Sequence, residues 1–297
     1  MRGNPCSNPH RNPHPIHQRP VARVPTLHDY LLQVRMELKW SRRRVADVTG
    51  ISEPYLRQVE IGKRVPSTGI LRKLIAGYQL APAQAAYIDE LLTPPVPLTP
   101  LDILRNRLNQ TPTLIDYLTE LGDRGVLGVY SDPIGNVLAM NKLMSNIFTD
   151  LEEIGNMMKW WFSPVAPRVI PEWEAESDFL VGTFKAAFGR HRTAPAANQL
   201  LRHLRRHRSF TQSWVNSTFV AYNRATTHPI RLRPPSGSVL TTIIHRADVT
   251  DSRQIVLHTA YPRLGTTHHI GARPGSCASS SERESDSQSN SCTAAPI

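Results

Sequence analysis

The stretch from Ser41 to Ser67, SRRRVADVTGISEPYLRQVEIGKRVPS, limits the fold of this chain more than any other. It encodes two short helices joined by a tight turn. Ser41 can cap the first, because its hydroxyl can accept a hydrogen bond from a free N–H of the opening turn. Val45 and Ala46 supply the buried side of that helix. Gly50 stops it, since a left-handed backbone angle costs glycine little. Ser52 caps the second helix, and Pro54 falls in its first turn, where a missing N–H is no loss. Leu56 and Val59 point inward. Glu53, Tyr55, Arg57 and Gln58 are left outside. This is the form of a helix-turn-helix, which lays its second helix in the DNA major groove.

Three further helices surround the pair. Thr26 can cap one carrying Leu27, Tyr30, Leu31, Val34 and Leu38 on one face. Ser67 caps another, with Ile70, Leu71, Leu74 and Ile75 buried and Gly77 weakening its end. A fifth runs from Pro82 to Leu92 and buries Ala85, Ile88 and Leu92. Residues 26–92 thus predict an all-α five-helix domain. Residues 93–100, TPPVPLTP, form a proline-rich linker that marks its boundary. Residues 1–25 have no apolar periodicity, and disorder is expected. His10, His14 and His17 lie among prolines that oppose a shared helix face, so no metal site is read there.

The second half patterns differently. Leu101, Leu104 and Leu108 predict one short helix. Gly125 to Tyr130 reads as a strand, Asp132-Pro133-Ile134-Gly135 as a turn, and Asn136 to Met140 as the return strand. Asn141 can cap a following helix. Pro171 opens a longer helix through Phe179, Val181, Phe184 and Phe188, whose first turns carry Glu172, Glu174 and Glu176 near the positive end of its dipole. The next helix is basic, with Arg202, Arg205, Arg206 and Arg208. Three β-rich runs follow: Pro229 to Arg233, Ser238 to His245 and Gln254 to Ala260. The Pro234-Pro235-Ser236-Gly237 turn and a looser loop near Asp251 join them. The expectation for 101–263 is an α/β domain, an antiparallel sheet with helices on one face. The Ser-rich tail, 264–297, is expected to be disordered.

Two resemblances add to this. The run Ser41-x3-Val45-Ala46-x3-Gly50-Ile51-Ser52, then Tyr55-Leu56-x2-Val59-Glu60-x-Gly62-Lys63-x2-Pro66-Ser67, resembles the phage-repressor-like (XRE) helix-turn-helix family. The run Asp132-x2-Gly135-x-Val137-Leu138-Ala139-x-Asn141 resembles the opening of the MmyB-like ligand-binding domain, a PAS-like module. Asn156, Phe162-x-Pro164-x2-Pro167-Arg168, Trp173, Gly189-Arg190-His191, Ser209-Phe210-x3-Trp214 and His228-Pro229 fall in that family's order. Lys185 departs from it, standing where the family often has arginine. The resemblances imply a DNA-binding transcription regulator with a C-terminal pocket for a small apolar, fatty-acid-like ligand. One domain of this size is a weak specific reader, so a homodimer on two half-sites is expected.

The chain has 297 residues, room for about two domains, and a net charge of +11, which favours a polyanionic partner. No apolar run approaches the roughly 20 residues that span a bilayer, so a cytoplasmic location is expected. Cys6, Cys277 and Cys292 sit in the polar tails and form no CxxC pair.

For phosphate contact the candidates are Arg42, Arg43 and Arg44 at the motif's first helix, and Lys63 and Arg64 after the second. For base contact they are Glu53, Pro54, Tyr55, Arg57 and Gln58. Gln58 suits adenine, Arg57 guanine, and Glu53 can accept from cytosine N4. Arg57 can instead pair with Glu53, four residues away. By resemblance, Glu53, Pro54 and Gln58 match the family's base-contacting positions, and Glu60 a structural one. In the second domain, aromatic residues either pack a core or line a pocket. The candidate ligand contacts are Asn156, Phe162, Arg168, Trp173 and Phe184, with Asn156 and Arg168 either meeting a carboxylate head or serving as cap and surface. There is no GxSxG, GxxxxGK[ST] or HExxH, so neither catalysis nor a cofactor is expected. His203 and His207 have metal-compatible spacing but lie among arginines, and no metal is expected. A protein-partner module is the alternative for the second domain.

Overall fold

Most helices of the N-terminal half start and stop where the sequence provides a cap. The computed structural model describes residues 22–235, 237–249 and 254–263. Helix α1 (Leu27–Glu37) follows Thr26, whose hydroxyl accepts from the Asp29 amide at 3.2 Å. Helix α2 (Arg42–Thr49) is capped by Ser41, accepting from the Arg44 amide at 3.1 Å, and ends at Gly50 with φ 69°. Helix α3 (Glu53–Glu60) starts after Ser52, but the expected side-chain cap does not form. Pro54, at the second helical position, lacks one of the two amides that such a cap uses. Helices α4 (Thr68–Gly77) and α5 (Pro82–Leu92) complete the group. Tyr30, Leu31, Val34, Val45, Leu56, Val59, Leu71, Leu74 and Ile88 share one buried cluster.

Helices α6 (Leu101–Asn109) and α7 (Pro112–Asp123) come next; α7 was not anticipated. Strands β1 (Leu127–Ser131) and β2 (Val137–Met140) follow, then the short helices α8 (Lys142–Ile147), α9 (Leu151–Ile154), α10 (Met157–Trp161) and α11 (Ala166–Val169). Helix α12 (Trp173–Arg190) is the longest, at 18 residues. The expected single basic helix is two, α13 (Pro195–Leu204) and α14 (Arg208–Asn216), with Arg205 and Arg206 in the tight turn between them. Strands β3 (Ile230–Leu232), β4 (Leu240–Asp248) and β5 (Val256–Arg263) end the fold.

The five strands form one antiparallel sheet in the order β2-β1-β5-β4-β3, with Val129 opposite His258 and Ile244 opposite Ala260. The first hairpin is therefore zipped onto the last strand. The turn between β3 and β4 closes through the Gly237 amide on the Pro234 carbonyl at 2.9 Å, with Gly237 at φ 91°. Helices cover both faces, not one. Strand side chains alternate, so Leu127 and Val129 join the large cluster with Phe184, Phe188 and Phe210, while Tyr130 joins Leu104, Leu108 and Leu118 of α6 and α7.

Several local expectations change. Leu38 and Leu92 are exposed and Ala85 is half-buried; Tyr87 and Leu91 take the inward places on α5, because that helix also packs against α12. Glu172 and Glu176 do more than suit a dipole: they pair with Arg231 (2.7 Å) and with Arg224. Of the N-terminal arm, Ala22 is buried and the Arg23 carbonyl accepts from Trp214 Nε1 at 3.1 Å. His10, His14, His17, the three cysteines, Ser236, Asp251 and the tail 264–297 lie outside the described residues.

Candidate DNA-binding helix and ligand cavity

Helix α3 buries Leu56 and Val59 and exposes Glu53, Pro54, Arg57 and Gln58. The Glu53–Arg57 ion pair that their spacing allows is not formed, so both side chains point free along one face. Tyr55 is half-buried against the helical core, and the Arg64 guanidinium lies 5.1 Å above its ring. The Gln58 carbonyl accepts the Lys63 and Arg64 amides at 2.9 and 3.2 Å, which fixes the loop after the helix. Arg43 is exposed, and Arg44 sits 5.4 Å over Trp40. Arg42 is only half-exposed, because its Nε donates to Glu60 at 2.7 Å. Glu60 is buried and also accepts from Arg35 at 2.5 and 3.0 Å. It holds the motif together and faces no base.

A cavity of about 500 Å³ lies between α12, the short helices and the sheet. Much of its wall is apolar, with Leu127, Ile134, Met144, Phe148, Met158, Trp160, Trp161 and Phe184. The indole N–H groups of Trp160 and Trp161 are already bonded to the Thr149 carbonyl (2.7 Å) and Ser177 Oγ (2.9 Å), so these rings offer carbon to the cavity. Polar groups line it as well: Glu90, Arg190, His191, Tyr222, the Arg224–Glu176 pair, Arg246 and His258.

The two histidines of the lining have defined tautomers. His191 Nδ1 lies 2.8 Å from the Val96 carbonyl, so the proton is on Nδ1. Burial chiefly, and then Arg190, hold its pKa below the usual range, against that bond. His258 Nε2 lies 3.0 Å from Ser131 Oγ, which gives its own proton to the Asp132 carbonyl, so His258 is the donor to serine. Burial and Arg246 lower its pKa. A histidine that donates to a serine cannot take that serine's proton, so the pair is not a nucleophile with its base. Asp132 is occupied by the turn: its carboxylate accepts from the Ile134 and Asn136 amides and from Asn136 Nδ2 at 2.7–3.0 Å.

Of the expected ligand residues, only Phe184 lines this cavity. Asn156 is a saturated cap: its oxygen accepts the Met158 and Lys159 amides, and its Nδ2 donates to Ile134 O and Asn136 Oδ1, all within 3.1 Å. Arg168 is exposed on α11, outside the lining. Phe162 and Trp173 pack edge to face at 6.0 Å, with Phe210 5.4 Å from Phe162. They build core. Trp160, one of the aromatics read as core or pocket, lines it too, while the expectation missed Glu90, Arg190, His191 and Tyr222; for these, Gly189-Arg190-His191 carried the one visible signal. The His203 and His207 rings are 6.0 Å apart, and no group of three metal-ligating side chains occurs among the described residues.

The comparisons agree with this division. Residues 27–87 match a helix-turn-helix domain, and residues 129–270 match the MmyB-like transcription regulator ligand binding domain. No curated protein matches the chain. The chain is thus a helix-turn-helix transcription regulator with a C-terminal MmyB-like ligand-binding domain. No helix among the described residues is long and apolar enough to cross a membrane.

Proposed function

We propose that this regulator binds a specific DNA operator as a homodimer and that its second domain holds a long-chain, fatty-acid-like molecule whose binding shifts DNA affinity. The observation that carries this is the cavity's lining, which suits an amphiphile: apolar walls, and among the polar groups a half-buried Arg190 with no ion pair or hydrogen bond from its guanidinium. About 500 Å³ falls in the usual range of ligand sites. An open cavity favours a ligand over the partner-module alternative, which would have its own aromatics fill the space. On DNA, Glu53, Pro54, Arg57 and Gln58 face the bases, with Tyr55 supporting Arg64. Arg43, Arg44, Lys63 and Arg64 take phosphates, and Arg42 reaches one only through its outer nitrogens. The ligand works by preferring one of two states of the protein.

The test is solvent extraction of gently purified protein, followed by mass spectrometry and operator binding with and without the extracted molecule. We expect a stoichiometric fatty acid, absent from the cavity-filling variant Ala187→Trp, that changes operator affinity. An empty extract from protein made in its native host would refute the ligand reading. Gln58→Ala should cost about 1–3 kcal/mol on the operator but little on random DNA; equal losses on both would remove its reading role.

A further inference from the structure

The basic run after α12 occupies a place in the fold that neither DNA reading nor the apolar cavity uses. Helix α13 buries Leu200, Leu201 and Leu204 and leaves Arg202 exposed and His203 half-buried. Arg206, just past the helix end, stands four residues from Arg202 and three from His203, a spacing that puts them on one side. Lys159 arrives from α10, which packs against α13. Together with Arg205 these side chains line a groove of about 590 Å³, which shares no lining residue with the apolar cavity. The turn that carries the arginines is fixed. The Arg205 amide donates to the Leu201 carbonyl at 3.0 Å and the Arg206 amide to the His203 carbonyl at 3.2 Å, while Thr211 Oγ1 donates to the Arg205 carbonyl at 3.0 Å.

The charge in this groove is unanswered. Lys159, Arg202, Arg205 and Arg206 bring four cations, and no carboxylate is among the lining residues. Among the described residues, none of the four side chains has an ion pair or a hydrogen bond. Their convergence is felt at His203, whose pKa is held below the usual range by burial first, then by Lys159, His207 and Arg206. Like charges gathered in a recess repel one another. The dipole of α13 favours Arg202 and His203 in its last turn. It does not account for Lys159, which a different, five-residue helix brings to the same recess.

We propose that this groove binds an oligophosphate, a chain of two or more phosphates, either inorganic or carried by a nucleotide. Guanidinium forks match phosphate oxygens, and each contact is charge-assisted. A single phosphate carries a charge of about −2 at most, half of what four cations call for; a longer chain answers all of them. A recess admits a small anion, whereas a DNA duplex presents its phosphates on a broad convex surface. Leu101 and Leu200 add an apolar wall on which the base of a nucleotide can rest.

The experiment is calorimetric titration of the full-length protein with sodium tripolyphosphate, ATP and orthophosphate, at near-physiological salt and without divalent cations. Tripolyphosphate should bind at one site per chain and about tenfold more tightly than orthophosphate, since it meets more of the charged donors. Exposed charge pairs are worth a few-fold each, so Arg202→Gln combined with Arg206→Gln should weaken it about tenfold, and Lys159→Gln about threefold. These side chains are unpaired, so the variants keep the wild-type melting temperature. Arg168→Gln, which removes an exposed charge outside the groove, should leave binding unchanged. ATP binding more tightly than tripolyphosphate identifies a nucleotide as the ligand, and equal affinities identify the phosphate chain alone. No binding of tripolyphosphate overturns the proposal, and so does an equal loss in Arg168→Gln, which marks diffuse surface charge. Random duplex DNA that displaces tripolyphosphate, with a flatter salt slope for DNA in the double variant, overturns it in favour of a further DNA contact.

Discussion

Arg42 and Arg43 are neighbours with different duties. Arg42 is tied to the buried carboxylate of Glu60, while Arg43 is exposed. A phosphate contact shows in the salt dependence of binding, because each one releases counterions. Arg43→Ala should therefore flatten the slope of log K against log salt by about 0.9. Arg42→Ala should flatten it less and lower the melting temperature more, since Glu60 loses a partner. Equal slope changes would show that Glu60 does not divert Arg42. Lys185 gives a second test. It is buried, it donates to the Ser213 and Ser217 carbonyls, and burial holds its pKa down to about 8 despite Glu37 and Asp178. Between about 8 and the ordinary 10.5 the unfolded chain binds the proton more tightly, so stability rises with pH across that window. The full shift corresponds to roughly 3 kcal/mol. Urea unfolding at pH 7.5 and 9.5 should show wild type gaining stability relative to Lys185→Met. No difference in pH dependence between the two would place the lysine's charge in water.

Helices α5 and α12 meet at Gly189, where a Cβ would stand 2.4 Å from the Tyr87 ring. Tyr87 is buried and held edge-on by Tyr30 at 4.9 Å, so it cannot retreat. Gly189→Ala should cost about 1–3 kcal/mol in chemical denaturation, the usual penalty for overpacking. Gly182→Ala faces a comparable contact at 2.5 Å, but with Phe219, which is 44% exposed and can swing away, so its cost should be smaller. Equal costs would mean that the α5–α12 contact yields. At this scale much was legible in sequence. The cap of α2, the stop at Gly50 and the two hairpin strands follow from local chemistry, and so does the Pro82–Leu92 helix. What was not legible depends on distant partners. Glu172 and Glu176 find arginines 59 and 48 residues away, and no local pattern encodes that. Tyr87 is buried on α5 where Ala85 was expected, and it packs on a glycine of α12. The family order of Asn156, Phe162 and Trp173 marked fold positions, and order along a chain does not tell which side of a helix faces a cavity. Glu90 gave no signal at all, lying in a helix that reads as part of the other half.

The proline-rich stretch that reads as a domain boundary is bonded along its length. The Val96 amide donates to the Arg190 carbonyl at 2.8 Å, its carbonyl accepts from His191, and the Thr99 amide and Pro97 carbonyl both bond Gln254 at 3.1 and 3.3 Å. A second strap runs along residues 215–218. Gln33 donates to the Val215 and Ser217 carbonyls at 2.7 and 3.0 Å, Tyr30 to the Thr218 carbonyl at 2.9 Å, and the Thr218 amide to Glu37 at 2.8 Å. Ala186 and Val220 belong to the buried cluster of the helix-turn-helix half. The described residues of both halves fall in one compact unit. Domains that share a core and two bonded straps unfold together, because exposing one exposes its partner's apolar surface. Calorimetry of the full chain should show a single transition with calorimetric and van't Hoff enthalpies in agreement. A saturating fatty acid at 100 times its Kd should raise that one transition, adding about 2.7 kcal/mol of stability to both halves at once. Two transitions, with only the upper or the lower moved by the acid, would show that the halves are energetically separate and that a ligand in the cavity has no direct hold on DNA affinity.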